Sequence, residues 1–143
     1  MTACYLDASA LVKLATQEAE SDALRRELAG YRDRLTSRLA TVEVPRAIAR
    51  RGPETVAAAG DDLAQALEAV TLIELDEELA SVAAGLEPAR LRSLDAVHLA
   101  SALAIRDELS AFVTYDLRLA DAARAAGLRC LPPPETRHLA GPS

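Results

Sequence analysis

The sequence is poor in aromatic residues, and this limits how its core can be built. It has no tryptophan, one phenylalanine and three tyrosines among 143 residues, although half of the residues are hydrophobic. The core must therefore consist of closely packed leucine, valine and alanine side chains, a composition that favours helices. A chain of this length is expected to fold as one domain without needing a disulfide or a structural metal.

Cysteine and long apolar segments are scarce as well. Cys4 and Cys130 lie on separate predicted strands at opposite ends of the chain, without the paired spacing of a zinc or redox motif, so both are predicted to be reduced core residues. No basic segment with a long apolar stretch precedes Asp7, and no apolar run reaches the length of a membrane span. These absences predict a soluble, cytoplasmic protein.

The chain has no overall excess of positive charge. Its net charge of −6 argues against binding nucleic acid through total charge. The distribution is uneven, because six arginines lie between Arg32 and Arg51, whereas nine acidic residues and no lysine or arginine lie between Gly52 and Ala89. These segments are either solvated helix faces or a basic patch for a polyanion followed by an acidic patch for a basic partner.

Several catalytic motifs are also missing. The six glycines are scattered, so there is no glycine-rich phosphate loop, and the Gly-x-Ser-x-Gly elbow of serine hydrolases does not occur. A phosphatase with an aspartyl nucleophile needs a second acid two residues after Asp7, where Ser9 stands. A metal-dependent adhesion module needs a serine at the position of Leu11. None of these chemistries fits the chain.

The sequence does contain an alternation of strand and helix patterns. Strands are predicted at 3–6, 34–37, 71–75, 111–115 and 128–131, and helices at 10–15, 18–28, 39–48, 54–70, 77–84, 93–105 and 117–126. Pro45 is expected to kink one helix or to start a second one. The predicted fold is a three-layer α/β/α sandwich with a central parallel sheet. This domain spans 1–131, and a proline-led tail spans 132–143.

Two aspartates stand at junctions between a predicted strand and a helix. Asp7 ends the first strand, and Asp116 stands in the same way after Phe-Val-Thr-Tyr. Each of them alone is an ordinary helix N-cap. Because the carboxyl ends of parallel strands line one crevice where ligands bind, both side chains are expected to face that crevice.

Two further acidic residues lie on predicted helices. Asp95 is the one charged residue of a helix that is apolar nearly all round, where it either binds the helix's own N-terminal amides or reaches the crevice. His98, on the same helix face, either holds Asp95 or packs in the core, and the core role is favoured. Glu43 either pairs with Arg46 or joins the other carboxylates.

Taken together, the carboxylates predict a metal site. Several carboxylates in one crevice repel one another unless a divalent cation neutralises them. A cluster of oxygen ligands selects a hard ion, Mg²⁺ or Mn²⁺. Such an ion activates water and stabilises a phosphoryl transition state. The sequence therefore predicts metal-dependent phosphodiester hydrolysis.

Four sequence segments carry a family resemblance. They surround the four carboxylates and read Tyr-Leu-Asp-Ala-Ser-Ala-Leu-Val-Lys-Leu, Thr-Ser-Arg-Leu-Ala-Thr-Val-Glu-Val, Leu-Arg-Ser-Leu-Asp-Ala-Val-His-Leu-Ala and Val-Thr-Tyr-Asp-Leu-Arg-Leu. In order and spacing, across nearly the whole chain, they resemble the PIN-domain family and within it the VapC-type ribonuclease toxins of bacterial toxin–antitoxin pairs.

The resemblance implies an acidic quartet that uses Mg²⁺ or Mn²⁺ to cut single-stranded RNA or exposed RNA loops, leaving a 5′-phosphate on one product. Three of its members, Asp7, Asp95 and Asp116, are implied to hold the metal, and Glu43 to bind it through water or to act as a base. The implied catalytic residues are Asp7, Glu43, Asp95 and Asp116.

The same resemblance assigns supporting residues near the quartet. Ser9 matches the hydroxyl beside the first aspartate, and Thr114 and Ser37 stand where a hydroxyl would orient water or carboxylates. Some PIN nucleases carry a further acidic or amide residue soon after the fourth carboxylate. This chain has Arg118 and Leu119 there, which leaves a second metal site open.

Partners are implied as well. The resemblance implies a cognate antitoxin whose tail lies along helices within 40–70 and blocks the crevice, together with a toxin homodimer. An arginine patch is predicted to guide the RNA backbone. The alternative function is a catalytically silent PIN-like module that binds RNA or a protein partner. The arginines of the patch are Arg38, Arg46, Arg50 and Arg51.

Overall fold

The computed structural model describes residues 2–133, in which strands and helices alternate. The predicted tail at 132–143 lies almost entirely outside the described residues. The strands are β1 (Ala3–Leu6), β2 (Asp33–Ser37), β3 (Thr71–Ile73), β4 (Leu109–Val113) and β5 (Cys130–Leu131). The helices are α1 (Ala8–Ala15), α2 (Ser21–Leu28), α3 (Ala40–Ala49), α4 (Pro53–Glu68), α5 (Glu77–Ala84), α6 (Ser93–Ala104) and α7 (Leu117–Ala125).

The five strands form one sheet in the order β3-β2-β1-β4-β5, and every neighbouring pair is parallel. The predicted three-layer α/β/α class is confirmed. The chain runs outward from β1 to β3 on one side and returns to place β4 on the other side of β1. The crevice between the carboxyl ends of β1 and β4 is therefore the point where the strand order reverses, which is where ligands bind in open α/β sheets.

The central strand β1 is buried on both faces, as expected for a parallel sheet covered by helices. Successive residues point to opposite sides of a strand. Cys4 and Leu6 pack in the core formed with α1, α3 and α4, whereas Tyr5 packs on the opposite face with α6 and α7. Tyr5 stacks on Phe112 with ring centroids 5.3 Å apart, so two of the few aromatic residues lie directly beneath the carboxyl edge of the sheet.

Several element bounds differ from the prediction because local hydrogen bonds end or delay the element. Helix α2 begins at Ser21 rather than at residue 18, since the Ser21 hydroxyl accepts from the Glu18 N–H and donates to backbone carbonyls before the helix starts.

Pro45 lies inside α3, and α4 is kinked at Gly60, which has φ +35°. A positive φ of this kind is accessible to glycine at little cost.

Both cysteines are buried and free, which confirms their prediction as reduced core residues. Burial raises the pKa of the Cys4 thiol to about 11, with Arg34 acting in the opposite direction, so the reactive thiolate is disfavoured. In residues 2–133 no helix has the length and apolar character needed to cross a membrane.

Candidate active site

The carboxylate of Asp7 lies at the centre of the candidate site, at the carboxyl end of β1. Its side chain is only 3% exposed and caps α1, since Oδ1 accepts from the Ala10 N–H at 3.0 Å. Ser9 Oγ donates to the same oxygen at 2.7 Å, and Thr114 Oγ1 donates to Oδ2 at 2.5 Å. Burial raises the pKa of Asp7, while His98 and these hydrogen bonds act in the opposite direction.

Thr114 and Ser9 join the end of β1 to the loop after β4. Thr114 Oγ1 accepts from the Asp116 N–H at 3.0 Å while it donates to Asp7, and Ser9 Oγ accepts from the Tyr115 N–H at 2.8 Å. Two hydroxyls therefore fix the carboxylate of Asp7 and the backbone of Asp116 relative to each other. Sequence resemblance singled out both hydroxyls, and the structure brings them to the same carboxylate.

Asp116 lies three residues past the end of β4 rather than directly after a strand, because β4 ends at Val113. Its Oδ1 accepts from the N–H groups of Arg118 and Leu119 at 2.9 and 3.2 Å, which caps α7. The N-cap role expected for an aspartate at such a junction is thus observed at both Asp7 and Asp116. Capping orients each carboxylate at the carboxyl edge of the sheet.

Asp95 lies in the first turn of α6, where its carboxylate is half-buried near those of Asp7 and Asp116. The start of α6 has no side-chain cap, so the plain role of binding the helix's own amides is not observed in the described part of the chain. Burial, followed by the charges of Asp116 and Asp7, raises the pKa of Asp95 from 3.8 to about 6, although His98 and Arg92 lower it. The negative charges of two other carboxylates thus add to burial in raising the pKa of Asp95.

Glu43 is held at the site by His98 rather than by Arg46. His98 Nε2 lies 2.7 Å from Glu43 Oε1, and His98 Nδ1 lies 2.7 Å from the hydroxyl of Tyr5. Because an ionised carboxylate only accepts hydrogen bonds, Nε2 is the donor to Glu43. His98 is 1% exposed and Glu43 18%, so the pair lies largely beneath the surface.

The role expected for His98 was therefore incomplete. It does lie in the core, as predicted, but both ring nitrogens have polar partners, and it holds Glu43 rather than Asp95. The signal in the sequence was a single histidine on an otherwise apolar helix, and its partner 55 residues away could not be read from local spacing.

Ser37, also buried, accepts from the Leu39 N–H at 3.1 Å before α3; its role toward water or carboxylates stays a prediction.

A groove of about 830 Å³ opens from the carboxylates of Asp95 and Asp116. Its walls are the segment 88–92, the start of α6 and one face of α7. Arginines from two of these walls line the groove, and sequence reasoning missed them because they come from separate parts of the chain. They are Arg90, Arg92 and Arg118.

Comparison with known proteins decides the family. The model of the PIN domain matches residues 4–125. The chain belongs to the PIN-domain family. This PIN domain is 44% identical over 133 residues to Ribonuclease VapC46 of Mycobacterium tuberculosis strain ATCC 25618 / H37Rv, covering 93% of this chain and 99% of that relative. It is 41% identical to Ribonuclease VapC47 of M. tuberculosis strain CDC 1551 / Oshkosh, covering 86% and 91%. The VapC-type resemblance is confirmed.

Solved structures show the same fold. The M. tuberculosis toxin VapC20, described as sarcin-ricin loop cleaving, superposes with a TM-score of 0.63 at 20% identity, covering 87% of this chain and 95% of that one. VapBC2 of Rickettsia felis, bound to a DNA fragment from their promoter, superposes with a TM-score of 0.64 at 12% identity, covering 90% and 97%. At these identities the likeness establishes the fold of the PIN domain alone.

The side chains at the site fit a hydrated divalent cation. Asp7, Asp95 and Asp116 offer only oxygen ligands, the set that Mg²⁺ and Mn²⁺ prefer. Within residues 2–133 no three His, Cys, Asp or Glu side chains lie close enough together to hold an ion as a group. Mg²⁺ is commonly bound through one or two carboxylates and keeps several waters, so a group of three direct protein ligands is not required. Burial, followed by the negative charges of Asp116 and Asp7, raises the pKa of Asp95, and a bound cation would favour the ionised form of this carboxylate.

Replacing His98 tests its hold on Glu43. We expect His98→Leu to lower kcat for RNA cleavage by roughly 10- to 100-fold with little change in KM, as when residues that orient metal-site groups are removed. His98→Gln retains an N–H donor and should recover part of the loss. Steady-state kinetics of both variants check this, with thermal unfolding as the control for folding. Equal kcat values for the leucine and glutamine variants would contradict the positioning role.

Proposed function

We propose that this PIN domain is a metal-dependent endoribonuclease that acts as the toxin of a toxin–antitoxin pair. The observation that carries the proposal is the placement of Asp7, Asp95 and Asp116 at one edge of the sheet, where burial, followed by the charges of Asp116 and Asp7, raises the pKa of Asp95 to about 6. Relatives at 44% and 41% identity are named ribonucleases, which supports RNA as the substrate.

Each side chain has a role in the proposed mechanism. Asp7, Asp95 and Asp116 would hold Mg²⁺ or Mn²⁺, which when bound supplies charge neutralisation and activation of water. Ser9 and Thr114 keep the Asp7 carboxylate in one orientation.

Glu43 acts as the general base. His98 holds Glu43 Oε1, which leaves the other oxygen to accept a proton from the water that attacks phosphorus. Catalysis by these residues consists mainly of positioning and of electrostatic stabilisation of the charged transition state.

Cleavage of RNA by purified protein tests the function. We expect products with 5′-phosphate ends in the presence of Mn²⁺, and no products after addition of a chelator or in Asp116→Asn. The matched control is Asp76→Asn, because Asp76 also caps a helix, by accepting from the Leu79 N–H at 2.8 Å, but it lies on α5 outside the site. Cleavage that survives both the chelator and Asp116→Asn would overturn the metal mechanism. RNA binding without cleavage would favour the catalytically silent module.

We also propose that a basic segment of an antitoxin binds along α3 and α4. These helices expose the apolar side chains of Val42 and Val56, at 58% and 47%, beside the exposed acidic residues of α4. The solved VapBC2 relative supports such a protein partner. The acidic residues concerned are Glu54, Asp61 and Asp62.

Charge reversal tests the antitoxin surface. We expect replacement of Glu54, Asp61 and Asp62 by lysine to weaken co-purification with the antitoxin, whereas Glu77→Lys with Glu78→Lys on α5 should not. Unchanged co-purification of the triple variant would remove the electrostatic part of the proposal.

The homodimer implied by the family resemblance is checked by sedimentation, which should give twice the 15.2 kDa of one chain.

A further inference from the structure

Gathered carboxylates create an electrostatic problem for a protein that cuts RNA. Asp7, Asp95 and Asp116 place negative charge where a phosphodiester must approach, and the chain as a whole carries −6. Phosphate contacts from arginine or lysine dominate the affinity of proteins for nucleic acids. A working site therefore needs cationic side chains close to the carboxylates, whatever the net charge of the molecule.

The arginine patch predicted from the sequence is already partly neutralised. Arg38 forms an ion pair with Glu74 through two of its guanidinium nitrogens, with a shortest distance of 2.6 Å. Arg51 forms an ion pair with Glu18. Two of the four arginines in that patch are thus committed to carboxylates of the chain itself, which reduces what the patch offers to an RNA backbone.

The groove beside the carboxylates offers a different set. Arg90, Arg92 and Arg118 line it together with three carboxylates, and all three arginines are exposed. The carboxylates are those of Asp95, Asp116 and Asp121, of which Asp121 forms an ion pair with Arg124. Within the described part of the chain, none of these three forms an ion pair with a carboxylate. These three guanidinium groups, which form no ion pair among the described residues, therefore lie in the same groove as two members of the quartet. They come from both walls of the groove.

The remaining lining of the groove favours the RNA backbone over the bases. It contains no aromatic side chain, so the stacking platforms that hold bases in many single-strand binding proteins are missing from these walls. The apolar lining is small and aliphatic. Phosphate contacts position a strand without reading its sequence. The apolar lining residues are Pro88, Leu91, Leu117, Ala122 and Ala125.

We propose that Arg90, Arg92 and Arg118 form a phosphate-binding subsite that holds the backbone of single-stranded RNA beside Asp95 and Asp116. This subsite rests on the proposed ribonuclease function. It offsets the negative charge of the carboxylates locally, and it guides the strand along the groove between the segment 88–92 and α7. Selection of an RNA target by base sequence is then left to other surfaces.

Binding of a fluorescent oligouridylate by the full chain tests the subsite, measured by anisotropy over a range of salt concentrations. The Asp7→Asn background prevents cleavage during the titration. Arg92→Ala with Arg118→Ala should weaken binding about tenfold or more and should reduce the slope of log affinity against log salt by about 1.4, since each phosphate contact to a single strand contributes about 0.7. The matched control, Arg25→Ala with Arg26→Ala on α2, lies outside both the groove and the predicted arginine patch and should bind like the parent.

Cleavage kinetics in the chain with native Asp7 separate the subsite from the function. The groove variant should show a raised KM for RNA. If the native chain cleaves RNA and the groove variant has an unchanged KM and salt slope, the subsite is wrong while the ribonuclease function stands. If the native chain neither binds nor cleaves RNA, the result contradicts both the phosphate-binding subsite and the ribonuclease function. Loss of binding to a polyglutamate peptide with unchanged RNA affinity would assign the arginines to an acidic protein segment and would overturn the RNA subsite.

Discussion

Asp7→Asn is expected to lower kcat for RNA cleavage by about 10³-fold or more while leaving the fold nearly intact. Loss of a charged metal ligand removes several kcal/mol of transition-state stabilisation, and 4 kcal/mol corresponds to about 10³ in rate. The fold should persist because asparagine can still accept from the Ala10 N–H and from Ser9 Oγ, and asparagine is as good an N-cap as aspartate. Cleavage rate and thermal unfolding are measured on the same preparation.

A second capping aspartate provides the control for Asp7. Asp76 caps α5 by accepting from the Leu79 N–H at 2.8 Å, in the same way that Asp7 caps α1, but it lies outside the quartet. Asp76→Asn should therefore leave cleavage unchanged. Equal activity of Asp7→Asn and the native chain, or an equal loss in both variants, would show that Asp7 serves only as a helix cap.

Asp95→Asn is expected to abolish cleavage and, in the absence of metal, to stabilise the protein at neutral pH. Burial and the charges of Asp116 and Asp7 raise the pKa of Asp95 from 3.8 to about 6. The contribution of Asp95 to stability is therefore fully present below pH 3.8, where it is protonated, and is lost as the pH rises through about 6. Removing the charge should recover roughly 1 kcal/mol above pH 6, after allowance for the solvent exposure of the carboxylate.

Thermal unfolding in the presence of a chelator measures this gain. A change of 1 kcal/mol corresponds to a shift of about 2–4 °C in Tm for a chain of this size, and the difference between variant and native chain should vanish below pH 3.8. Asp107→Asn, at an exposed position after α6, is the control. Added Mn²⁺ should stabilise the native chain more than Asp95→Asn. A variant that is less stable than the native chain at neutral pH would contradict the repulsion inferred among the carboxylates.

Much of the fold could be predicted because its signals are local. Short apolar segments ending on Asp7 and near Asp116 indicated strands that lead into helices, and the single charge of α6 marked Asp95. These features depend on neighbouring residues and on the rule that parallel strands share an edge. The first and last residues of the helices were harder to predict, because side-chain hydrogen bonds such as those of Ser21 decide where a helix begins.

The rest of the site depends on contacts between distant parts of the chain. Local spacing favoured Arg46 as the partner of Glu43. In the fold, Glu43 instead contacts His98 from a distant helix, and His98 in turn contacts Tyr5 from the first strand. The groove likewise exists only after the segment 88–92 and α7 are packed side by side. Tertiary packing thus selects among partners that the sequence leaves equivalent.

The rate of RNA cleavage as a function of free Mn²⁺ tests the proposed function most directly. The native chain and Asp7→Asn are compared in chelator-buffered solutions, from no free Mn²⁺ to saturation. We expect the rate of the native chain to rise from near zero to a plateau, and that of Asp7→Asn to stay near zero throughout. Cleavage by the native chain at an undiminished rate without free divalent cation, or a full rise in Asp7→Asn, would contradict a metal-dependent site built on Asp7.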